Sequence, residues 1–77
     1  MKIEILGVGC AKCHKLEEQV REIVAKEGVN ADISKVEDFK KIMNYGVMTT
    51  PALVIDGKVK IAGKIPSADQ IKSWIKG

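Results

Sequence analysis

Apolar and polar positions alternate along Lys2-Ile3-Glu4-Ile5-Leu6, which predicts a short strand ended by Gly7-Val8-Gly9, two glycines that free the backbone for a tight approach to the next element. From Ala11 to Glu27 the period lengthens. Cys13, Leu16, Val20, Ile23 and Val24 recur at helical spacing opposite Glu17, Glu18, Arg21 and Glu22, so an amphipathic helix is expected, stopped by Gly28. Val29 to Val36 reads as a second strand, with Ala31 and Ile33 alternating against Asp32 and Ser34. A shorter helix over Asp38 to Asn44 is expected to bury Phe39, Ile42 and Met43 before Gly46 ends it. Ala52-Leu53-Val54-Ile55 is a continuous apolar run, and Asp56-Gly57 joins it to the strand-like Lys58 to Ala62, a strong hairpin signal. Ser67 and Gln70 form a capping box that opens a last helix burying Ala68, Ile71, Trp74 and Ile75.

The predicted order is βαβαββα, an α/β chain. A strand, a helix and a strand imply a right-handed parallel unit, and the Asp56-Gly57 hairpin adds an antiparallel pair. The result is one four-stranded mixed sheet with helices on both faces. The first helix then starts at the carboxyl end of the first strand, where open α/β sheets bind and react.

Seventy-seven residues form a single domain, 1–77, near the lower limit for a core without staples. Apolar residues at 45% and charged residues at 30% fit a globular chain, not a disordered one. Thirteen basic against ten acidic residues give a charge of +3, but the lysines are scattered and no aromatic residue interleaves with a basic cluster, so nucleic acid is not an expected partner. No apolar run approaches the roughly 20 residues of a membrane span, and MKIEILGVG lacks the basic start and apolar stretch of a secretory signal. The expectation is a cytoplasmic monomer.

The only two cysteines stand as Cys10-Ala11-Lys12-Cys13, where the first strand gives way to the first helix. Thiol–disulfide exchange needs a thiolate that forms a mixed disulfide and a second thiol that reaches back to release it, and two intervening residues across a first helical turn allow this. Free N–H groups and the positive end of the helix dipole favour an anion at Cys10, whose pKa in such motifs falls from about 8.5 to between roughly 3.5 and 7.5. Cys10 is therefore expected to attack and Cys13 to resolve. Lys12 adds a cation inside the motif and biases the site towards acidic partners. Two other uses of the pair compete. Half of a zinc site needs two further thiolate or imidazole ligands, and the chain offers only His14, so no metal ligands are assigned. A static disulfide closing so short a loop restrains little unfolded-chain entropy.

His14 adjoins the dithiol but projects about 100° from Cys13 around the helix, which places it on the surface near Glu17 and Glu18 with modest influence on Cys10. Lys15 and Lys64 are candidates to frame the mouth of the site and attract acidic partners, with nothing to distinguish them from ordinary solvated lysines, and Tyr45 and Trp74 read as core or edge packing.

Thr49-Thr50-Pro51 directly precedes the apolar strand. Proline at a strand's first residue is tolerated as a plain strand entry. A cis Thr50-Pro51 peptide is the sharper alternative, leaving the Thr50 N–H and C=O open to an extended substrate.

Gly9-Cys10-Ala11-Lys12-Cys13 at a helix start, followed by Val47-Met48-Thr49-Thr50-Pro51-Ala52-Leu53-Val54-Ile55-Asp56-Gly57-Lys58-Val59, resembles the thioredoxin fold across essentially the whole chain. The likeness is closest to the small thioredoxins and glutaredoxin-like redox-active disulfide proteins of archaea and bacteria. It implies a cis Pro51 packed against the dithiol, a Thr50 backbone that pairs with substrate, and reduction of protein disulfides by Cys10 and Cys13. It further implies an electron-donating reductase as partner and no cofactor beyond the Cys10–Cys13 disulfide. Ordinary thioredoxins have Trp before the first cysteine and Gly-Pro within the motif, where this chain has Gly9, Ala11 and Lys12. They also carry a buried carboxylate six residues before the first cysteine, the position of Glu4, which could relay a proton to Cys13. By its place in an alternating strand, Glu4 is expected to be solvated instead. Ile61-Ala62-Gly63-Lys64 is only faintly similar to the glycine pair of glutaredoxins.

A soft-metal carrier of the heavy-metal-associated type also holds C-x-x-C between its first strand and first helix and binds Cu(I) through two thiolates. Val8 stands where that family has Met, the family's βαββαβ order differs, and Thr50-Pro51 has no role in it. A non-catalytic adaptor is a third reading, which the intact Cys10 and Cys13 disfavour.

Overall fold

The computed structural model describes residues 1–8 and 11–76. Its elements run β1 (Lys2–Leu6), α1 (Ala11–Glu27), β2 (Asp32–Val36), α2 (Phe39–Asn44), β3 (Ala52–Ile55), β4 (Lys58–Ala62) and α3 (Ala68–Lys76). The strands form one sheet in the order β2-β1-β3-β4. β1 pairs in parallel with β2 and antiparallel with β3, and β3 pairs antiparallel with β4. This is the four-stranded mixed sheet expected from the element order, and the thioredoxin-like arrangement that the resemblance implies.

Alternation along the two central strands sorts the core onto two faces. Ile3, Ile5, Leu53 and Ile55 pack with Leu16, Val20, Ile23 and Val24 of α1 and with Ile71 and Ile75 of α3. On the opposite face Leu6, Ala52 and Val54 pack with Ile42 of α2 and with Val47. Helices therefore cover both faces, two against one. β2 is shorter than its Val29–Val36 expectation. Its partner β1 is five residues long, the parallel register runs from Lys2 opposite Asp32 to Leu6 opposite Val36, and the Asp32 N–H donates to the Met1 carbonyl at 2.9 Å, so the pairing begins at Asp32.

Local sequence signals account for the turns. Asp56 and Gly57 both have positive φ, 50° and 83°, as a two-residue hairpin turn of primed type requires. The Lys2 N–H donates to Asp56 Oδ1 at 2.8 Å, tying that turn back to β1. Ser67 and Gln70 exchange bonds: the Gln70 N–H donates to Ser67 Oγ at 3.2 Å, and the Ser67 N–H to Gln70 Oε1 at 3.0 Å. Asp38 caps α2 through the Lys40 N–H at 2.9 Å. In α3, Ile71 and Ile75 are buried as expected, whereas Trp74 is half-buried and Ala68 exposed.

Two further expectations for α2 fail. Phe39 is 66% exposed and Met43 57% exposed, and only Ile42 of that helix is buried. In this six-residue helix Ile42 takes the place against Leu6, Ala52 and Val54, while Phe39, at its first position, and Met43, the next residue around the helix, face out. Among the described residues no helix is long and apolar enough to cross a membrane.

Candidate functional site

The carboxyl end of β1, the first turn of α1 and the segment entering β3 meet at one corner of the sheet. Cys13 lies in the first turn of α1, is 1% exposed and is disulfide-bonded. Cys10, the attacking residue in the sequence reading, lies outside the described residues. Gly7 closes the floor of the corner. A Cβ placed on Gly7 would overlap the Cys13 Sγ and would come within 3.9 Å of the Thr50 Cβ. Only glycine lets the end of β1 approach the sulfur this closely, which is the tight approach expected of the Gly7-Val8-Gly9 stretch. The Gly7 N–H donates to the Val36 carbonyl at 3.1 Å and so fixes this floor to β2.

The opposite wall is Thr49-Thr50-Pro51. The Thr50–Pro51 peptide is cis, Pro51 is fully buried, and Thr49 and Thr50 are exposed. The Pro51 carbonyl accepts from the Gly63 N–H at 2.8 Å. Gly63 has φ 83°, and a Cβ there would lie 2.6 Å from Thr49 Oγ1, so this glycine is required both for its backbone conformation and for its contact. Among the described residues no backbone hydrogen bond engages Thr50, although the Pro51 carbonyl beside it is held by Gly63.

The charged residues named from sequence sort differently. Lys12 is exposed on the first turn of α1. His14 is 66% exposed and its Nε2 lies 3.1 Å from Glu18 Oε1, the surface position expected of it. Lys15 and Lys64 are exposed. Glu4 departs from expectation. It is only 9% exposed, and its Oε1 accepts a 2.7 Å hydrogen bond from the Tyr45 hydroxyl. β1 is central, so Glu4 is flanked by Ser34 of β2 and Val54 of β3, and α2 with the following Tyr45 closes over it. That bond, with burial and the carboxylate's negative charge behind it, holds the Tyr45 hydroxyl above the usual tyrosine range. Tyr45 is thus a hydrogen-bonding partner as well as a packing residue. No local signal pairs it with Glu4 across 41 positions of sequence. No buried polar side-chain atom among the described residues lacks a partner.

Sequence reading missed one more feature of this corner. Phe39, Met43, Val47, Met48 and Thr50 line a groove of about 180 Å³ directly beside the Thr50–Pro51 wall.

The chain is similar to known proteins along most of its length. A family model described as a thioredoxin domain matches residues 1–76. A thioredoxin of Methanothermobacter thermautotrophicus is 40% identical over 94% of this chain and 94% of its own length. A thioredoxin of Methanocaldococcus jannaschii is 39% identical over 96% of this chain and 85% of its own. A probable thioredoxin of Archaeoglobus fulgidus is 31% identical over 87% and 76%.

Proposed function

The chain belongs to the thioredoxin family and is a thiol–disulfide oxidoreductase of archaeal type, and from that premise we propose that Cys10 attacks, Cys13 resolves and Thr50-Pro51 aligns the partner's chain. The observation that carries the reading is Cys13 itself. It is a disulfide-bonded, 1% exposed cysteine on the first turn of α1, against Gly7 and Thr50, in a chain whose only other thiol is Cys10.

In the reduced protein the Cys10 thiolate attacks one sulfur of the substrate disulfide. A Cys10–substrate bond forms, the substrate S–S bond breaks, and the leaving sulfur takes a proton from solvent. Cys13 then loses its proton and attacks the Cys10 sulfur. The mixed disulfide breaks, the second substrate sulfur leaves as a thiol, and a Cys10–Cys13 disulfide remains. Two electrons pass to the substrate, and a reductase returns two to the protein.

Each neighbour has a part. Cys10 immediately precedes α1 in sequence, so the unpaired N–H groups of the helix start favour its thiolate, and exposed Lys12 acts in the same direction. Cys13, 1% exposed, is out of reach of a foreign disulfide, which leaves the first attack to Cys10. The Thr50 backbone offers an N–H and a C=O to an extended segment of the partner, in the manner of strand addition. Glu4 and His14 take no direct step; each is held by its own partner, Tyr45 and Glu18. The chain acts as one domain and a monomer, with no cofactor beyond its two sulfurs. Its task of reducing disulfides suits the cytoplasm. The Cu(I)-carrier reading gains no support, since the element order is βαβαββα and the Thr50–Pro51 wall stands beside the sulfur.

The test is reduction of insulin disulfides by wild type, Cys10→Ser and Cys13→Ser, driven by a dithiol. Wild type should turn over and both variants should not. Cys13→Ser should accumulate a mixed disulfide through Cys10, visible by mass spectrometry. An inactive wild type that binds Cu(I) stoichiometrically, or a mixed disulfide trapped only by Cys10→Ser, would overturn the assignment.

A further inference from the structure

We propose that Met48 is a modification site: hydrogen peroxide converts its thioether to the sulfoxide, which weakens docking of the disulfide partner without loosening the fold. This rests on the proposed role of Thr50-Pro51 as the wall along which the partner's chain lies, and adds a chemical control on that site.

The chain has three methionines, Met1, Met43 and Met48, exposed to 40%, 57% and 92%. Oxygen transfer to a thioether requires that the peroxide reach the sulfur, so reactivity follows exposure and Met48 comes first. The outward position of Met48 is set by its neighbours. Val47 is buried with Leu6, Ala52 and Val54, and the Pro51 carbonyl is held by the Gly63 N–H at 2.8 Å. A short segment fixed at both ends therefore presents Met48 to solvent two residues ahead of Thr50. Met48 and Thr50 also border the same groove of about 180 Å³. The most accessible thioether of the molecule thus stands at the docking wall, and Met43, on the same groove, is the slower second site.

The step needs no reagent beyond the peroxide. The Met48 sulfur attacks one peroxide oxygen, an S–O bond forms and the O–O bond breaks. The departing hydroxide takes the proton left on the transferred oxygen and leaves as water. The sulfur gives up two electrons and the peroxide accepts them. In the disulfide state the cysteines do not compete, because Cys13 is already oxidised and 1% exposed. The product is polar and chiral where the thioether was apolar and adaptable. A partner side chain resting against it loses apolar contact. The fold loses almost nothing, since a 92% exposed side chain contributes little burial. Sulfoxide in a core would unsettle the whole domain, whereas here the consequence falls on the partner alone.

The disulfide form is treated with hydrogen peroxide, which catalase then removes, and dithiol-driven insulin reduction is measured. Peptide mass spectrometry should find the added oxygen on Met48 before Met43 and Met1. Wild type oxidised at Met48 should show a KM for insulin about threefold higher with kcat little changed, the scale of losing part of one apolar contact. Its melting temperature should stay within about 2 °C of the untreated protein. Met48→Leu, compared with its own untreated sample, should show no effect of peroxide on KM. Met48→Gln, which places a polar side chain of similar length there, should raise KM with no peroxide added. Methionine sulfoxide reductase should restore the treated wild type. Oxygen appearing first on Met1 or Met43, an unmoved KM with Met48 oxidised, a rise that persists in Met48→Leu, or a rise accompanied by a lower melting temperature would overturn the proposal while leaving the dithiol mechanism intact. An untreated wild type that fails to reduce insulin would remove both.

Discussion

The two faces of the sheet are built to different ends. The face under α1 and α3 gathers ten buried side chains, all aliphatic, from four elements. The face under α2 gathers five, sets a buried carboxylate among them and leaves two of its helix's apolar residues in water. Apolar burial dominates the stability of a small domain, so the first face carries most of the fold and the second is freer to be shaped by its partners. The redox corner sits where they meet, at the end of β1, with Cys13 supplied from the α1 side and Thr50-Pro51 from the chain leaving α2.

The comparison breaks most visibly in the larger core. Leu53 is fully buried between α1 and the sheet, and Leu53→Ala should cost about 3 kcal/mol. For 77 residues the whole stability is on the order of 4 to 11 kcal/mol, so the denaturant midpoint should fall by a large fraction. On the α2 face the same experiment splits within one helix. Ile42→Ala should cost about 2 kcal/mol, whereas Phe39→Ser, at a 66% exposed position three residues earlier, should move stability by no more than about 0.5 kcal/mol. Equal losses at the two positions would mean that α2 buries its rim in solution.

Each face also has a polar tie whose strength depends on pH, and the two dependences run in opposite directions. Tyr45→Phe should cost about 1 kcal/mol at neutral pH by removing a hydrogen-bond donor from the buried Glu4 carboxylate. Because the Tyr45 hydroxyl is held above its ordinary value of 10.0, the unfolded chain releases this proton first. Its contribution is whole below pH 10.0 and is lost as pH climbs through the folded value, so Tyr45→Phe should flatten the alkaline limb of a melting profile. Glu27, on the α1 and α3 side, accepts from Lys76 at 2.6 Å, which lowers its pKa from the ordinary 4.5. That stabilisation is whole above pH 4.5 and disappears as pH falls through the folded value, and Glu27→Gln should flatten the acid limb, the smallest of these effects because the pair lies at the surface.

Legibility in the sequence divides along the same line. β1 and α1 are legible to their last residue because Ile3 and Ile5 at a period of two, and Cys13 to Val24 at the helical period, mark the buried side of each element. The Asp56-Gly57 turn and the Ser67-Gln70 cap are legible because they are purely local. On the α2 side the deciding partners are distant. Tyr45 reaches Glu4 from the far end of a helix, so no alternation in Lys2–Leu6 separates a solvated glutamate from a buried one. Phe39 and Met43 obey the helical period as well as Ile42 does, and only the position of the sheet decides which of them it covers. The Cys-x-x-Cys spacing and the Thr50-Pro51 pair were readable as chemistry, but the backbone contact that brings Gly7 against the Cys13 sulfur requires the folded chain.

The order β2-β1-β3-β4 leaves β2 and β4 as the outer strands, and β4 presents Lys58 and Lys60 to solvent. A second molecule laying its own β4 along that border would bring ammonium against ammonium, the gatekeeping by which small proteins avoid growing into fibrils. The exposed lysines of β4 thus set charge against self-addition along that border.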